Sequence, residues 1–307
     1  MEPLIPAPVR IGPAGWSYKD WAGIVYPKRR PSAFHEAAYL AQYFDTIEIN
    51  TSFYSPIEPN TATKWLELIA GNPQFLFTAK LWQKFTHERD ASAENERAAR
   101  AGFDPLRDAD KLGAVLAQFP FSFHRTPDNL DYLKKLFARF AEYPLVIEVR
   151  HASWNEKGFY DLLQERGVGF CNIDQPLIGR SLRPSDCATA PVGYIRLHGR
   201  RYDTWFSDDP NLPPAERYNF LYSEEELEPW AERIRTVTKN SKSTFVITNN
   251  HYRGKAVVNA LQLIHMLTKR PITAPPTLIE HYPELEPIAS SSGITGNLFR
   301  ESQRSVQ

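Results

Sequence analysis

Cysteine is scarce in this chain of 307 residues, which contains only Cys171 and Cys187. Their separation provides no CxxC motif, and two cysteines cannot build a small fold that depends on several disulfides. Cys171 lies within an apolar run, a position typical of a small buried side chain rather than of a nucleophile. A disulfide scaffold and a CxxC-type metal or redox centre are therefore excluded.

An excess of either charge is also missing. Lys and Arg together number 36, as do Asp and Glu, so the formal net charge is +0. A protein dedicated to nucleic acid or to an anionic membrane surface usually carries a basic excess. The balance therefore disfavours both classes, although a local basic groove is compatible with it.

Long hydrophobic runs are absent as well. The sequence has no stretch of about 18 uninterrupted apolar residues, so we expect no transmembrane helix and no membrane partner. The first ten residues, MEPLIPAPVR, have neither the basic start nor the apolar segment of a signal peptide. We therefore expect a cytoplasmic protein.

What the chain does contain is a series of short apolar runs that alternate with segments of helical spacing. Eight such runs begin at Val9, Thr46, Phe75, Ala114, Leu145, Val168, Gly193 and Thr244. Their nearly continuous apolar character is typical of strands that are buried on both faces of a parallel sheet. The pattern predicts an α/β fold consisting of a single (β/α)8 TIM barrel over residues 9–288.

The boundaries of this barrel follow from the same pattern. We predict the first strand at 9–15, the last at 244–250, an irregular arm at 1–8 and a polar tail at 289–307. Ser223 to Glu226 has the form of a capping box and predicts a helix start. A further helix is predicted near 93–101, whereas 175–192 has the composition of a loop.

Polar side chains gather at the carboxyl ends of the predicted strands, where a TIM barrel builds its functional face. Three pairs with a spacing of two share one face of their strand: Glu48 with Asn50, Glu148 with Arg150, and Arg196 with His198. If these faces point inward, six formal charges converge on the barrel mouth: Lys80, Arg150, Arg196, Glu48, Glu148 and Asp174. Salt bridges that merely plug the barrel end are the alternative, but Val, Ile and Leu fill such a space more simply.

The convergence predicts a site for a small polar or anionic ligand, such as one that resembles a sugar phosphate. The catalytic candidates are Glu48 or Glu148 as general base, His198 as general acid, and Lys80. The ligand-binding candidates are Trp16, Tyr18, Asn50, Gln118, Arg150, Asp174, Arg196, Asn249 and Asn250. Binding alone and binding with catalysis are both compatible with this set, which predicts neither a cofactor nor a bound metal.

Aromatic residues follow several strand ends, where core packing alone does not require them. They are Trp16, Tyr18, Trp21, Phe53, Tyr54, Trp82, Trp154, Tyr202 and Trp205. Rings around a polar pocket are suited to stacking on a sugar or a nucleobase. Packing of loops against the barrel is the alternative for about half of them.

Two other functions stay open. The histidines and carboxylates could serve a metal-dependent phosphodiesterase, but cations in the same mouth repel metal ions, so this interpretation ranks lower. A non-catalytic binder of single-stranded nucleic acid could use the aromatic rim together with Arg150, Lys157, Arg200 and Arg201. Nucleic acid is therefore compatible with the sequence as a partner, but it is not favoured.

Six ordered strings carry a resemblance to a known family: GWSYKDW at 15–21, TIEINTSFY at 46–54, KLGAVLAQFP at 111–120, IEVRHASW at 147–154, YIRLHGR at 194–200 and NNHYRGKAVVNA at 249–260. From about residue 9 to residue 267 the chain resembles the DUF72, or YecE-like, family. The resemblance implies a TIM barrel and, by analogy with the endonuclease IV barrel, nucleic-acid binding. Many relatives have an Asp where this chain has His251, so the resemblance implies no carboxylate role there.

Overall fold

Eight parallel strands curl around a common interior in the computed structural model, which describes residues 8–290 except Phe206, Asp208 and Pro210. The strands are β1 (Val9–Pro13), β2 (Thr46–Ile49), β3 (Leu76–Lys80), β4 (Leu112–Gln118), β5 (Leu145–Glu148), β6 (Gly169–Asp174), β7 (Val192–Leu197) and β8 (Ser243–Thr248). Their order is β1-β8-β7-β6-β5-β4-β3-β2. This is the predicted TIM barrel, and the fold class is confirmed.

Helices follow every strand except β6 and cover the outside of the barrel. They are α1 (Glu36–Leu40), α2 (Pro59–Leu68), α3 (Gln83–Thr86), α4 (Ala93–Asp108), α5 (Pro127–Arg139), α6 (Lys157–Arg166), α7 (Glu224–Lys239), α8 (Lys255–Thr268) and α9 (Pro276–His281). Short 3-10 helices lie at Lys19–Trp21, Thr51–Phe53, Ala152–Trp154, Pro214–Tyr218, Tyr252–Gly254 and Pro283–Ile288. No described helix is long and apolar enough to cross a membrane.

Local sequence signals set several helix starts. The capping box predicted at Ser223 and Glu226 is present at the start of α7, where each side chain bonds the backbone N–H of the other. The helix predicted near 93–101 is α4, which begins after the cap Ser92 and is longer than expected. Described residues 175–191 contain no helix, as predicted. The predicted arm and tail lie outside the described residues except for Pro8, Ala289 and Ser290.

The barrel closes between β1 and β2 at the end that carries the polar residues. Gly15 N–H donates to the carbonyl of Glu48 at 2.8 Å, and Ala14 forms a bridge with Glu48. Further down the same seam, a Cβ on Gly12 would lie 1.9 Å from the carbonyl oxygen of Thr46. The seam therefore requires glycine at position 12, and it places Glu48 at the mouth of the barrel.

Candidate functional site

Arg196 connects four strands at the barrel mouth. Its side chain is fully buried; Nη1 donates to Glu148 Oε2 at 2.7 Å and to Gln118 Oε1 at 3.0 Å. Nη2 donates to Glu48 Oε1 at 2.8 Å. Because a buried guanidinium is stable only when it is paired, these bonds fix the relative positions of β2, β4, β5 and β7.

Glu148 accepts bonds from several cationic or polar donors. Its Oε1 atom accepts from Arg150 Nε at 3.0 Å, from Arg150 Nη2 at 2.9 Å and from His198 Nε2 at 3.1 Å. Burial alone would raise the pKa of the Glu148 carboxyl, but Arg196, His198 and Arg150 outweigh it and hold the pKa well below its usual range. Glu148 is therefore ionised at neutral pH.

His198 is a neutral hydrogen-bonding group in this arrangement. Asn249 Nδ2 lies 3.0 Å from Nδ1 and donates to it, which leaves the ring proton on Nε2 for Glu148. Complete burial lowers the pKa of His198 to about 3, although Glu148 acts in the opposite direction. The imidazole thus orients Glu148 through this hydrogen bond and is itself fully buried.

Tyr194 is a further buried residue of the site, beside Glu48, and was not predicted. Its hydroxyl donates to Glu48 Oε2 at 2.9 Å and lies 2.9 Å from Thr78 Oγ1. Burial raises the pKa of Tyr194 well above its usual value, so it stays a neutral donor. A sequence signal existed, because Tyr194 precedes Arg196 by two residues and therefore shares its strand face.

Lys80 is held more loosely than the arginines. Its Nζ lies 3.8 Å from Glu48 Oε1 and 5.6 Å from the centre of the Phe53 ring, and 12% of the side chain is exposed. Among the described residues, no hydrogen bond of Nζ accompanies this ion pair. Burial, reinforced by Arg196, lowers the pKa of Lys80 to about 8.

Arg150 is the second cation with an exposed edge. Its side chain is 17% exposed, and the guanidinium carbon lies 5.7 Å from the centre of the Trp205 ring. Nε and Nη2 are both used by Glu148, which leaves Nη1 as the donor that is available to a ligand. Seven side chains thus form a connected group that we call the mouth cluster: Glu48, Lys80, Gln118, Glu148, Arg150, Arg196 and His198.

Asp174 does not join the mouth cluster. Its Oδ2 accepts from Arg200 Nε at 2.8 Å, and Tyr222 also bonds the carboxyl. The physical reason is strand alternation: Cys171, three residues earlier, points inward with Sγ 3.9 Å from Glu148 Oε2, so Asp174 points outward. The expected convergence of six charges therefore contains five.

Two other predicted ligand-binding residues also lie away from the mouth cluster. Asn250 is buried on the outside of β8, where its Nδ2 donates to the Phe220 carbonyl at 2.8 Å and to Asn259 Oδ1 at 2.7 Å. Trp16 packs between the barrel and α2, with its ring centre 5.2 Å from that of Trp65. Both are positioned as parts of the packing between strands and helices.

Loop residues form a continuous aromatic wall beside the mouth. The rings of Tyr18 and His251 stack at 4.3 Å with an interplanar angle of 13°, and Tyr218 lies 4.7 Å from His251. Asn50 Nδ2 donates to the Tyr18 hydroxyl at 3.1 Å. Trp205 extends the wall to His198, at a ring separation of 5.9 Å. Tyr18 and Asn50 are thus brought to the site as predicted, while His251 and Tyr218 were missed.

The remaining predicted aromatic residues divide into two groups. Trp21 and Trp154 are buried in packing between loops and barrel. Tyr54 and Tyr202 are exposed, and Trp82 Nε1 donates to the Tyr54 carbonyl at 3.0 Å. The two interpretations of the aromatic residues, rim and packing, therefore each apply to a part of the set.

The described residues contain no group of three or more His, Cys, Asp or Glu side chains that could hold a metal ion. Both oxygens of Glu148 and of Glu48 already accept bonds from protein donors. A cavity of about 760 Å³ lies on the outside of the barrel between α7 and α8 and includes no residue of the mouth cluster. The chemistry available at the mouth is therefore that of amines, guanidinium groups, carboxylates and amides.

Comparison with known proteins gives one consistent result. A family model described as "Protein of unknown function DUF72" matches residues 10–280. UPF0759 protein YunF of Bacillus subtilis (strain 168) is 28% identical over 273 residues, which are 84% of this chain and 94% of that protein.

Solved structures agree with this match. A DUF72 family protein of Thermotoga maritima MSB8 is 32% identical with a TM-score of 0.74, over 85% of this chain and 99% of that one. A DUF72 family protein of Enterococcus faecalis V583, at 24% identity, shares the fold with a TM-score of 0.73 over 85% of this chain and 95% of its own. The family model and the Thermotoga relative establish that this chain belongs to the DUF72 family.

Proposed function

We propose that the mouth cluster binds a small anionic ligand of the sugar-phosphate type. The observation that carries the proposal is the charge of the cluster: among the described residues, the ion pairs of Lys80, Arg150 and Arg196 are made with two carboxylates, Glu48 and Glu148. Since the low pKa of about 3 keeps His198 neutral, one positive charge is left over at neutral pH. An anion neutralises that charge.

The ligand meets the two cations that have exposed edges. Arg150 offers Nη1 and Lys80 offers Nζ, while the fully buried Arg196 is reached only through its partners. Gln118, whose Oε1 accepts from Arg196, and Asn50, whose Oδ1 is buried without a hydrogen-bond partner among the described residues, would orient the ligand. We assign Glu148 and His198 a positioning role behind these groups, while Glu48 pairs with both Arg196 and Lys80.

A purely structural plug is supported less well by the contacts of Lys80. A plug is stable when its charges are equal in number and closely paired. Here the Lys80–Glu48 separation is 3.8 Å, whereas Arg196 lies 2.7 Å and 2.8 Å from its two carboxylates. The loosely paired amine is the group that gains most from an added anion.

The metal-dependent phosphodiesterase and the nucleic-acid binder have less support. A metal ion would have to displace the protein donors that already bind Glu48 and Glu148. The basic residues considered for nucleic acid are themselves ion-paired: Lys157 with Asp161, Arg200 with Asp174, and Arg201 with Asp203. A metal ion, itself a cation, would also add to the uncompensated positive charge at the mouth instead of neutralising it.

The test is a thermal-shift titration with inorganic phosphate and sulfate. Ligand that binds the folded state raises the Tm by an amount that grows with its concentration. We expect this rise in the parent chain and its loss in Arg150→Ala. Arg200→Ala is the matched control, because Arg200 also pairs with a carboxylate, at 2.8 Å, but outside the mouth cluster. Absence of any anion effect in the parent, together with a large loss of stability in Arg150→Ala, would establish the plug instead.

A further inference from the structure

Lys80 occupies a distinct position among the cations of the mouth. It is the last residue of β3, and its amine lies between the Glu48 carboxylate at 3.8 Å and the Phe53 ring at 5.6 Å. Arg196 and Arg150 each donate short hydrogen bonds to carboxylates, whereas the ion pair of Nζ with Glu48 is long, at 3.8 Å. The amine is therefore partly exposed, with 12% of the side chain reaching solvent, and is not held in place by a short hydrogen bond.

The surroundings of this amine make it lose its proton more readily than an ordinary lysine does. The charged and titratable groups that face it come from every side of the mouth: Glu48, Glu148, Arg150, Arg196, His87 and His251. Burial and the two arginines act against a third cation, and the two carboxylates only partly offset them. Burial also lowers the pKa of both histidines, to about 4 for His251, so neither adds a charge at neutral pH.

We propose that Lys80 is a nucleophile that forms an imine with the carbonyl carbon of a small anionic aldehyde or ketone. This rests on the proposed function, because the anionic end of the compound binds Arg150 and brings the carbonyl to Nζ. A desolvated lysine beside other cations is a recognised arrangement for an amine nucleophile. Neither arginine can take this role, because a guanidinium stays protonated.

The step balances without any added reactant. The Nζ lone pair forms a C–N bond, the C=O π electrons move to oxygen, and one proton passes from nitrogen to that oxygen to give a carbinolamine. A second proton leaves nitrogen, the hydroxyl departs as water, and the C=N bond forms. Glu48 Oε1, 3.8 Å from Nζ, is placed to carry both protons from nitrogen to oxygen.

The test traps the imine on the full chain. Glycolaldehyde phosphate and sodium cyanoborohydride are added, and reduced adducts are located by peptide mass spectrometry. We expect Lys80 to be labelled at least 10-fold faster than Lys84, a more exposed lysine on α3 with 34% of its side chain in solvent and an ion pair with Glu88. Labelling should rise with pH through about 8, slow about 10-fold with neutral glycolaldehyde, and be suppressed by inorganic phosphate.

The outcomes separate this inference from the proposed function. If phosphate stabilises the parent chain but Lys80 is labelled no faster than Lys84, imine formation is wrong and anion binding stands. If Lys80 reacts equally fast with both aldehydes, and equally fast in Arg150→Ala, the amine is a nucleophile but the anion-binding function is wrong. Lys80→Met, checked by circular dichroism for an intact fold, should lose the fast-labelled peptide and keep the slow labelling of Lys84.

Discussion

Arg196 Nη1 lies 2.7 Å from Glu148 Oε2, and neither side chain reaches solvent. The two residues come from β7 and β5, which are not neighbours in the sheet, so the bond crosses the barrel interior. A buried pair of this kind contributes little net stability compared with apolar residues of similar size, but removing one partner leaves an unpaired charge. Substitutions that leave a buried charge unpaired should therefore destabilise the barrel strongly, and substitutions that leave its pairing intact should not.

Arg196→Met should be strongly destabilising. It leaves Glu48 and Glu148 buried without their shared guanidinium partner, so we expect a loss of about 3–5 kcal/mol in the free energy of unfolding. Arg150→Ala should cost only about 1 kcal/mol, because Glu148 keeps its bonds to Arg196 and His198. Urea denaturation of the two variants measures both values, and equal losses would contradict the division into buried and ligand-facing cations.

The acid sensitivity of the fold should depend on His198. Its folded pKa of about 3 lies below the ordinary value of 6.5, so the unfolded chain binds the extra proton first as the pH falls. The contribution to stability is therefore complete above pH 6.5 and is lost progressively down to about pH 3. His251, with a folded pKa of about 4, acts in the same direction.

His198→Gln removes one such proton and keeps a donor for Glu148. Between about pH 6 and pH 5 the slope of unfolding free energy against pH should fall by about 1.4 kcal/mol per pH unit relative to the parent chain. Denaturant titrations at several pH values measure this slope. An unchanged slope in His198→Gln would mean that His198 is already protonated in the folded state.

The seam between β1 and β2 should tolerate no side chain at position 12. In Gly12→Ala the new methyl group overlaps the Thr46 carbonyl, 1.9 Å away, so the strands must separate and we expect a loss of more than about 3 kcal/mol. Gly71→Ala is the control, because nothing lies within 4 Å of a Cβ there. Thermal denaturation distinguishes them, and similar Tm values would show that the seam can open without cost.

The barrel and the inward pairs of the mouth could be predicted because strand side chains alternate. That rule brought Glu148 and Arg150 together, as it did Arg196 and His198, and all four are in contact. The same rule, applied backward from Arg196, would have found Tyr194. It also explains the error for Asp174, whose outward position follows from the inward position of Cys171.

Other features have no periodic signal in the sequence. Asn249 and Asn250 are adjacent, so only one of them can point inward, and the sequence does not show which. In the structure Asn249 points inward and contacts His198, whereas Asn250 donates to Asn259. The stack of Tyr18 on His251 joins two loops that are far apart in the chain. Such contacts depend on loop conformations, which alternation of side chains does not determine.

The most direct sign that the mouth is built for a ligand should be a gain of stability when Lys80 loses its charge. The folded pKa of Lys80, about 8, lies below the ordinary value of 10.5, so between these pH values the unfolded chain binds more protons and stability rises with pH. At pH 7 the ammonium is present in both states, and its burial costs up to about 3 kcal/mol by the size of that shift.

Lys80→Met removes this cost, so the variant should be more stable than the parent chain at pH 7, by an amount that vanishes near pH 10.5. Lys84→Met, at a partly exposed lysine that is ion-paired with Glu88, should show no such gain. Denaturant unfolding at pH 7, 8.5 and 10 measures the difference; a Lys80→Met variant less stable than the parent at pH 7 would identify Lys80 as a structural partner of Glu48.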